Sequence, residues 1–241
     1  MNNKRAVIIQ ARMSSKRLPG KTLMRIGENP LIFYVIKRLQ LTGLPVVVAT
    51  SSDPSDDELV GYLESQNFTL FRGDLENVLK RYVNTAEEFG VEEIIRVTAD
   101  NPLVDIEALQ HALPLFKNFN YVDGIGKDGL IKGTGFELVK LSALKSIFST
   151  KSEYLEHVTL ALRERIGLEN TFTSLPVPFY QSFQKEIFIT CDYAEDLELL
   201  RKIFKEFNYS CDVPINNIIE FYRRKPEIFK ENQYLHTNNL D

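Results

Sequence analysis

The chain has 241 residues, 44% of them hydrophobic and 26% charged, a composition that excludes disorder and suits one large α/β domain or two small ones. Its formal net charge of −4 excludes the overall positive potential of nucleic-acid-binding proteins, so we expect no nucleic-acid partner. The apolar runs are far shorter than the roughly 18 residues of a membrane span, the N-terminus lacks a signal region, and the two cysteines lack C-x-x-C spacing. We therefore expect a cytoplasmic protein without a membrane partner.

The first half of the chain predicts strands and helices in alternation. Residues 6–9 form a continuous apolar run with β-branched residues, which predicts a strand covered on both faces of a parallel sheet. Further strands are predicted at residues 45–50, 67–71 and 93–98. Helices are predicted between them at residues 30–41, 55–66, 75–89 and 105–116, with Ser55 and Glu58 as a capping box and Pro114 shortening the last helix. Short loops between these units predict a three-layer α/β/α sandwich with a mostly parallel sheet.

The second half begins with a different pattern, because five glycines fall among short apolar runs between residues 119 and 139. This pattern predicts a hairpin or a flap. Further helices are predicted at residues 142–148, 153–165, 194–207 and 215–223, and strands at 171–177 and 187–190, before a polar tail that holds His236. Since no repeat, linker or low-complexity tract interrupts the chain, we predict a single domain over residues 1–241.

A loop with four cationic side chains follows the first strand: Arg12, Lys16, Arg17 and Lys21. Ligands of open α/β sheets collect at the carboxyl ends of such strands, and Gly20 permits a positive φ, so this loop is a predicted phosphate site. An ordinary solvated connection is the alternative. A P-loop is disfavoured, because Ser15 stands where its first glycine belongs and the Pro19 ring removes a backbone donor.

Two aspartates follow later strands and could share the cleft with these cations. Asp100 follows the strand at 93–98, and Asp192 follows the one at 187–190. Because Mg²⁺ prefers one or two carboxylates together with substrate phosphates, these residues are the predicted metal ligands. A turn-forming role for Asp100 and a helix-terminal charge for Asp192 are the alternatives.

Other polar residues near predicted strand ends have less specific signals. Arg72 could bind a phosphate or stack on a base, or form only a surface salt bridge. Glu137 could receive a substrate hydroxyl or be solvated. His157 could face the cleft from its helix.

Five segments together resemble one known family. They are IIQARMSSKRLPGKTL (8–23), FRGDLENVLKRY (71–82), RVTADNPLVD (96–105), EHVT (156–159) and TCDYAEDLE (190–198). In this order they resemble the motifs of cytidylyltransferases that make CMP-activated sugars, especially the spore-coat polysaccharide biosynthesis protein F family. The resemblance extends from residue 5 to about residue 207. Two departures are Ala99-Asp100-Asn101, where the family commonly has Gly-Asp-Cys or Gly-Asp-Asn, and Cys191-Asp192-Tyr193, where Val-Asp-Thr is usual. Neither departure removes a ligand.

The resemblance implies a nucleotide-diphospho-sugar transferase fold, which is glycosyltransferase-A-like, and Mg²⁺-dependent transfer of CMP from CTP to a sugar or sugar acid. This reaction releases pyrophosphate and serves surface polysaccharide or glycoconjugate biosynthesis. Catalytic roles are implied for Arg12, Lys21 and Asp100, and metal binding for Asp100 and Asp192. A homodimer is also expected. The expected nucleotide contacts are Gln10, Ala11, Arg12, Ser14, Ser15, Arg17, Lys21, Ser51, Arg72 and Asp100. The expected substrate contacts are Asn101, Glu137 and His157.

Three other functions compete with this expectation. A glycosyltransferase of the same fold would use a nucleotide-sugar donor and normally a D-x-D metal motif, which Asp192-Tyr193-Ala194 does not match. A P-loop kinase would need a glycine at position 15. A non-catalytic nucleotide-binding domain would not need the complete set of cations and aspartates.

Overall fold

A computed structural model describes residues 4–125, 130–147, 157–175, 183 and 185–237. Within these residues a seven-stranded sheet has the order β5-β4-β1-β6-β8-β7-β9. Its strands are β1 (Arg5–Gln10), β4 (Val46–Ser51), β5 (Leu70–Gly73), β6 (Glu93–Thr98), β7 (Tyr121–Asp123), β8 (Glu137–Lys140) and β9 (Phe172–Ser174). A separate two-stranded sheet joins β2 (Arg25–Ile26) and β3 (Asn29–Pro30).

Helices flank the sheet on both faces. They are α1 (Leu31–Gln40), α2 (Asp57–Ser65), α3 (Val78–Glu88), α4 (Ile106–Ala112), α5 (Leu141–Ser146), α6 (Leu160–Arg163), α7 (Ala194–Glu206), α8 (Ile215–Arg224) and α9 (Pro226–Thr237). Short 3-10 helices lie at Lys21–Leu23, Pro54–Asp56 and Leu113–Lys117. None of the helices in the described ranges combines the length and the apolar character that a membrane crossing requires.

Alternate side chains of β1 enter two different cores. Val7 and Ile9 pack with α1 and α2 in one apolar cluster, whereas Ala6 and Ile8 pack with α3 in another. Strand β1 pairs in parallel with both β4 and β6, and β8 then pairs antiparallel with β6 and β7. Strand β1 is therefore covered on both faces, as its continuous apolar run predicts.

Most predicted elements of the first half are confirmed, with shifted boundaries. The third strand begins at Leu70 rather than at residue 67, because Asn67 adopts a φ of 55° in the turn that ends α2. The predicted capping box is wrong: Asp53 accepts from the Ser55 N–H, and a 3-10 turn precedes α2. Helix α4 ends before Pro114, as predicted, and continues as a 3-10 helix.

The second half contains the larger differences. Antiparallel pairing of β7 with β8 confirms a hairpin in the glycine-rich segment, of which residues 126–129 lie outside the described part. The strand predicted at residues 187–190 is wrong, since only an isolated bridge joins Phe188 to Lys132. Of the helix predicted at 153–165, residues 153–156 lie outside the described part, and α6 covers only Leu160–Arg163. The predicted polar tail is also wrong, because α9 forms there and buries His236.

Candidate active site

An open cleft of about 480 Å³ lies where β1 and β6 end. It contains all four cationic residues of the predicted phosphate loop together with both predicted metal ligands. The residues that line it are Gln10, Arg12, Ser15, Lys16, Arg17, Lys21, Thr22, Arg96, Thr98, Ala99, Asp100, His157 and Asp192. Two parallel strands thus present polar side chains at one sheet edge, as the order of elements predicts.

The phosphate loop is closed by hydrogen bonds to its own backbone carbonyls. The Gly20 N–H donates to the Met13 carbonyl at 2.9 Å, and Gly20 has the predicted positive φ, of 73°. The Thr22 hydroxyl donates to the Arg12 carbonyl at 3.0 Å. Lys21 begins a three-residue 3-10 helix instead of the α-helix that follows the glycine-rich loop of P-loop proteins. The loop therefore has a fixed shape that differs from a P-loop.

Asp56 anchors this loop, and its role was not predicted from the sequence. Its Oδ1 accepts from the Met13 N–H at 2.7 Å. Its Oδ2 accepts from the Thr50 hydroxyl at 2.9 Å, from the Ser51 N–H at 3.0 Å and from the Ser51 hydroxyl. Asp56 is completely buried, so these four donors compensate for the loss of hydration of its carboxylate. The sequence pattern hid this role, because an aspartate beside Pro54 and Ser55 also suits a helix start.

Lys21 joins the two predicted metal ligands. Its Nζ donates to Asp100 Oδ2 at 2.9 Å, to Asp192 Oδ1 at 3.2 Å and to the Cys191 carbonyl at 2.6 Å. Burial lowers the pKa of Lys21, but the charges of Asp100 and Asp192 outweigh burial and raise that pKa above its usual value. Burial likewise raises the pKa of Asp100, but Lys21 and a hydrogen bond from Thr98 outweigh it and hold the pKa below its usual value. Lys21 and Asp100 are therefore both charged near neutral pH.

Arg17 adds a second cation to Asp192. Its guanidinium lies 2.6 Å from Asp192 Oδ1 and also lies over the Tyr193 ring, 5.4 Å from its centre. The Arg17 side chain is half exposed, whereas the Asp192 side chain is 7% exposed. Because its side chain already contacts solvent, Arg17 can turn from the carboxylate to a ligand phosphate that enters the cleft.

The arrangement fits a divalent cation held by Asp100 and Asp192. Oxygens of both carboxylates lie within 3.2 Å of one atom, Lys21 Nζ, so a single cation can contact both. The described residues contain no cluster of three or more metal-binding side chains. Two carboxylates, completed by substrate phosphates and water, are the ligand set that Mg²⁺ commonly takes.

Glu137 lies beneath the cleft instead of lining it. It is completely buried, its Oε2 is paired with Arg96, and its Oε1 accepts from the Tyr121 hydroxyl at 2.6 Å. Arg163 lies 3.3 Å from the same Oε1 and pairs with Asp123 at 2.9 Å. Burial raises the pKa of Glu137, but Arg96 and Arg163 outweigh it and hold the pKa below its usual value. Glu137 acts on the cleft through Arg96, a residue to which no sequence motif assigned a role.

Ser51 and Arg72 do not reach the cleft. The Ser51 hydroxyl is buried against Asp56, and Arg72 donates to the Ser51 and Asp53 carbonyls at 2.9 and 3.1 Å. Arg72 also pairs with Asp57 at 2.7 Å. This geometry matches the salt-bridge alternative for Arg72. These residues hold the β4 exit in place, since their polar groups bind one another.

The remaining predicted residues divide between the cleft and its edge. Gln10, Ser15 and the exposed His157 line the cleft, and Gln10 Oε1 accepts from Arg96 at 3.1 Å. The other three do not line it. The Ala11 N–H donates to the Ala49 carbonyl, Ser14 is exposed on the loop, and Asn101 Nδ2 donates to the Thr98 hydroxyl at 3.0 Å.

Comparisons with known proteins agree with the geometry. A family model described as cytidylyltransferase matches residues 6–235. The spore coat polysaccharide biosynthesis protein SpsF of Bacillus subtilis is 30% identical over 94% of this chain and 97% of its own length. The 3-deoxy-manno-octulosonate cytidylyltransferase of Geobacter sulfurreducens is 28% identical over 72% of this chain and 63% of its own length. The structure of a cytidylyltransferase from Leptospira borgpetersenii superposes with a TM-score of 0.85, at 26% identity over 94% of this chain and 96% of that one. The predicted fold and the resemblance are thereby confirmed.

Proposed function

Because this chain belongs to the cytidylyltransferase family, and is therefore a nucleotidyltransferase, we propose that it transfers CMP from CTP to a hydroxyl of a sugar or sugar acid. The observation that carries this proposal is the pair Asp100 and Asp192 sharing Lys21 in a cleft lined by further cations. The names of the spore-coat and octulosonate relatives support a role in polysaccharide or glycoconjugate biosynthesis.

Three of the four loop cations bind the triphosphate, and the exposed Lys16 does not contact it. Arg12 and Lys21 neutralise the β- and γ-phosphates, and Arg17 contacts the phosphates from the exposed side. Lys21 exchanges its two carboxylate partners for phosphate oxygens when CTP enters, while Ser15 and Gln10 border the nucleotide. These donors stabilise the charge that develops on the departing pyrophosphate, the effect that is usually the largest single contribution to catalysis.

Asp100 and Asp192 hold Mg²⁺ in this proposal. When bound, the ion supplies positive charge to the α-phosphate and orients the chain of phosphates. The acceptor hydroxyl attacks the α-phosphorus, the bond from that phosphorus to the oxygen bridging to the β-phosphorus breaks, and pyrophosphate leaves. The hydroxyl proton passes to water. The residues of the cleft align the acceptor hydroxyl with the α-phosphorus, which favours this attack over unproductive arrangements of the two substrates.

The acceptor occupies the part of the cleft bordered by Gln10, Arg96 and His157. Arg96 is 9% exposed and is held by Glu137 and Gln10, so its guanidinium is fixed before a ligand arrives. Such a fixed, planar donor suits hydroxyl or carboxylate oxygens of a sugar. We also propose a homodimer, which sedimentation velocity tests.

Thermal-shift measurements with CTP, UTP, GTP and ATP, each with Mg²⁺, test the nucleotide assignment. A ligand at 100 times its Kd stabilises the folded state by about 2.7 kcal/mol, so CTP should raise the Tm clearly more than the other nucleotides. Absence of a shift with CTP would contradict the proposal. A shift with nucleotide-sugars in place of CTP would instead favour a glycosyltransferase.

A further inference from the structure

Helix α9 reaches the cleft through a chain of buried hydrogen bonds. Asp196, in the first turn of α7, is 1% exposed, and its Oδ2 accepts from the backbone N–H groups of Asp192 and Tyr193 at 2.8 and 2.9 Å. Its Oδ1 accepts from Asn232 Nδ2 at 2.7 Å and lies 2.8 Å from His236 Nε2. Both Asn232 and His236 belong to α9. The last helix therefore contacts the carboxylate that fixes the backbone of a cleft residue.

The imidazole of His236 is held in one orientation. Its Nδ1 lies 3.0 Å from the ammonium of Lys132, which has no acceptor lone pair, so Nδ1 accepts and Nε2 carries the proton. The ring stacks on Phe188 with 5.1 Å between ring centres, and its exposed fraction is 1%. His236 thus donates from Nε2 to Asp196.

This network is more extensive than a helix cap requires. A first-turn aspartate caps a helix with its own carboxylate and needs no distant partner. Asp196 instead receives two donors from a helix about 40 residues further along the chain. The two donors from α9 fix one oxygen of the Asp196 carboxylate, so its other oxygen is held facing the N–H groups of residues 192 and 193.

We infer that His236 and Asp196 are positioning residues, which hold the 192–193 backbone so that the Asp192 carboxylate faces Lys21 and the Tyr193 ring faces Arg17. The inference rests on the proposed function, in which Asp192 is a metal ligand. Partners that orient a metal ligand in this way change metal affinity or activity by about 10- to 100-fold when removed. Helix α9, which lies far from the phosphate loop in the sequence, is then part of the active site.

Three variants separate positioning from general stability. His236→Leu keeps an apolar side chain of similar bulk but removes the donor to Asp196, and His236→Gln restores an N–H donor. Phe229→Leu is the control, because Phe229 is buried on the same helix and packs against Phe221 and Tyr222 instead of Asp196. Two quantities are measured: amide hydrogen exchange at residues 192–193 in the ligand-free protein, and Mn²⁺ affinity in the presence of CTP by electron paramagnetic resonance.

His236→Leu should speed exchange of both amides and weaken Mn²⁺ binding by about 10- to 100-fold, and His236→Gln should recover most of the loss. Phe229→Leu should lower the Tm without either effect. If His236→Leu does not fold, Lys132→Met provides the same test, because loss of the Nδ1 donor frees the imidazole and should speed the same exchange. Mn²⁺ affinity within twofold of wild type in folded His236→Leu, or an equal loss in Phe229→Leu, would overturn the inference alone. Failure of the wild type to bind Mn²⁺ would overturn the proposed metal site as well.

Discussion

Replacing Lys21 by alanine should change metal binding and turnover in opposite directions. In the free protein the Lys21 ammonium lies 2.9 and 3.2 Å from oxygens of Asp100 and Asp192, so it competes with any cation for them. The three side chains are 12, 22 and 7% exposed, respectively, which limits screening by water. Each contact is worth at most about 5–6 kcal/mol at an effective dielectric constant near 20. Arg17 still competes with the metal ion for Asp192 in this variant. We therefore expect the Mn²⁺ binding free energy to improve by only about 1–2 kcal/mol, which is roughly 5- to 30-fold tighter Mn²⁺ binding without nucleotide.

The same variant should be a poor enzyme, because Lys21 no longer neutralises the triphosphate and the departing pyrophosphate. A loss of about 2–4 kcal/mol of transition-state stabilisation lowers kcat/KM for CTP by roughly 30- to 1,000-fold. Titration calorimetry with Mn²⁺ and a coupled pyrophosphate assay measure the two effects. Lys16→Ala removes an exposed cation of the same loop and should change either quantity by less than about threefold. Weaker Mn²⁺ binding, or unchanged kcat/KM, in Lys21→Ala would refute the reasoning.

Three other variants test the loop and its support. Gly20→Ala should cost about 1–2 kcal/mol of stability, because its φ is positive, and should raise the KM for CTP. Gly43→Ala, at a nearly equal φ of 72°, should cost the same stability without changing that KM. Thermal denaturation measures the stability of both variants, and steady-state kinetics measures the KM. Asp56→Asn should lower stability by about 1–3 kcal/mol and also raise that KM, because a carboxylate with four donors is replaced; unchanged kinetics would contradict its anchoring role. Glu137→Gln should cost about 3–5 kcal/mol at pH 7, measured by urea denaturation, because it leaves Arg96 buried without its anion.

The pH dependence of the Glu137 contribution has a defined sign. The folded pKa of Glu137 lies below the ordinary value of 4.5, so the unfolded chain binds more protons between these two values. The contribution is complete above about pH 4.5 and is lost as the pH falls through the folded pKa. Wild type should therefore lose more stability than Glu137→Gln on acidification below pH 4.5. Parallel pH profiles for the two proteins would show that the carboxylate is not responsible.

Local sequence patterns predict the parts of this fold in which one strong signal dominates. Strands β1 and β4 have uninterrupted apolar runs, and the positive φ of Gly20 follows from its place after Pro19 in a tight loop. Parallel strands end at the same edge of the sheet. Since Lys21 follows β1 and Asp100 follows β6, the contact between them also follows from the order of the elements.

Long-range pairing explains the roles that the sequence did not predict. Asp56, Arg96 and His236 each bind a partner that is distant in sequence, and no local sequence pattern identifies that partner. Glu137 stands among glycines, which suggested an open flap, but its pairing with Arg96 across adjacent antiparallel strands buries it. Helix α9 has a weaker amphipathic pattern than α8, since Asn232 and His236 occupy its buried face. Because these buried positions are polar, the sequence predicted a polar tail instead of a packed helix.

The most direct test of the proposed function is product analysis after incubation with CTP, Mg²⁺ and a panel of nonulosonic acids, octulosonic acids and amino sugars. Pyrophosphate is followed by a coupled assay, and the nucleotide product is followed by mass spectrometry. We predict equal amounts of pyrophosphate and a CMP-linked sugar with at least one acceptor, and loss of both products in Asp100→Ala. Undiminished pyrophosphate release by Asp100→Ala, or release of a nucleoside diphosphate from a nucleotide-sugar in its place, would contradict the proposed reaction.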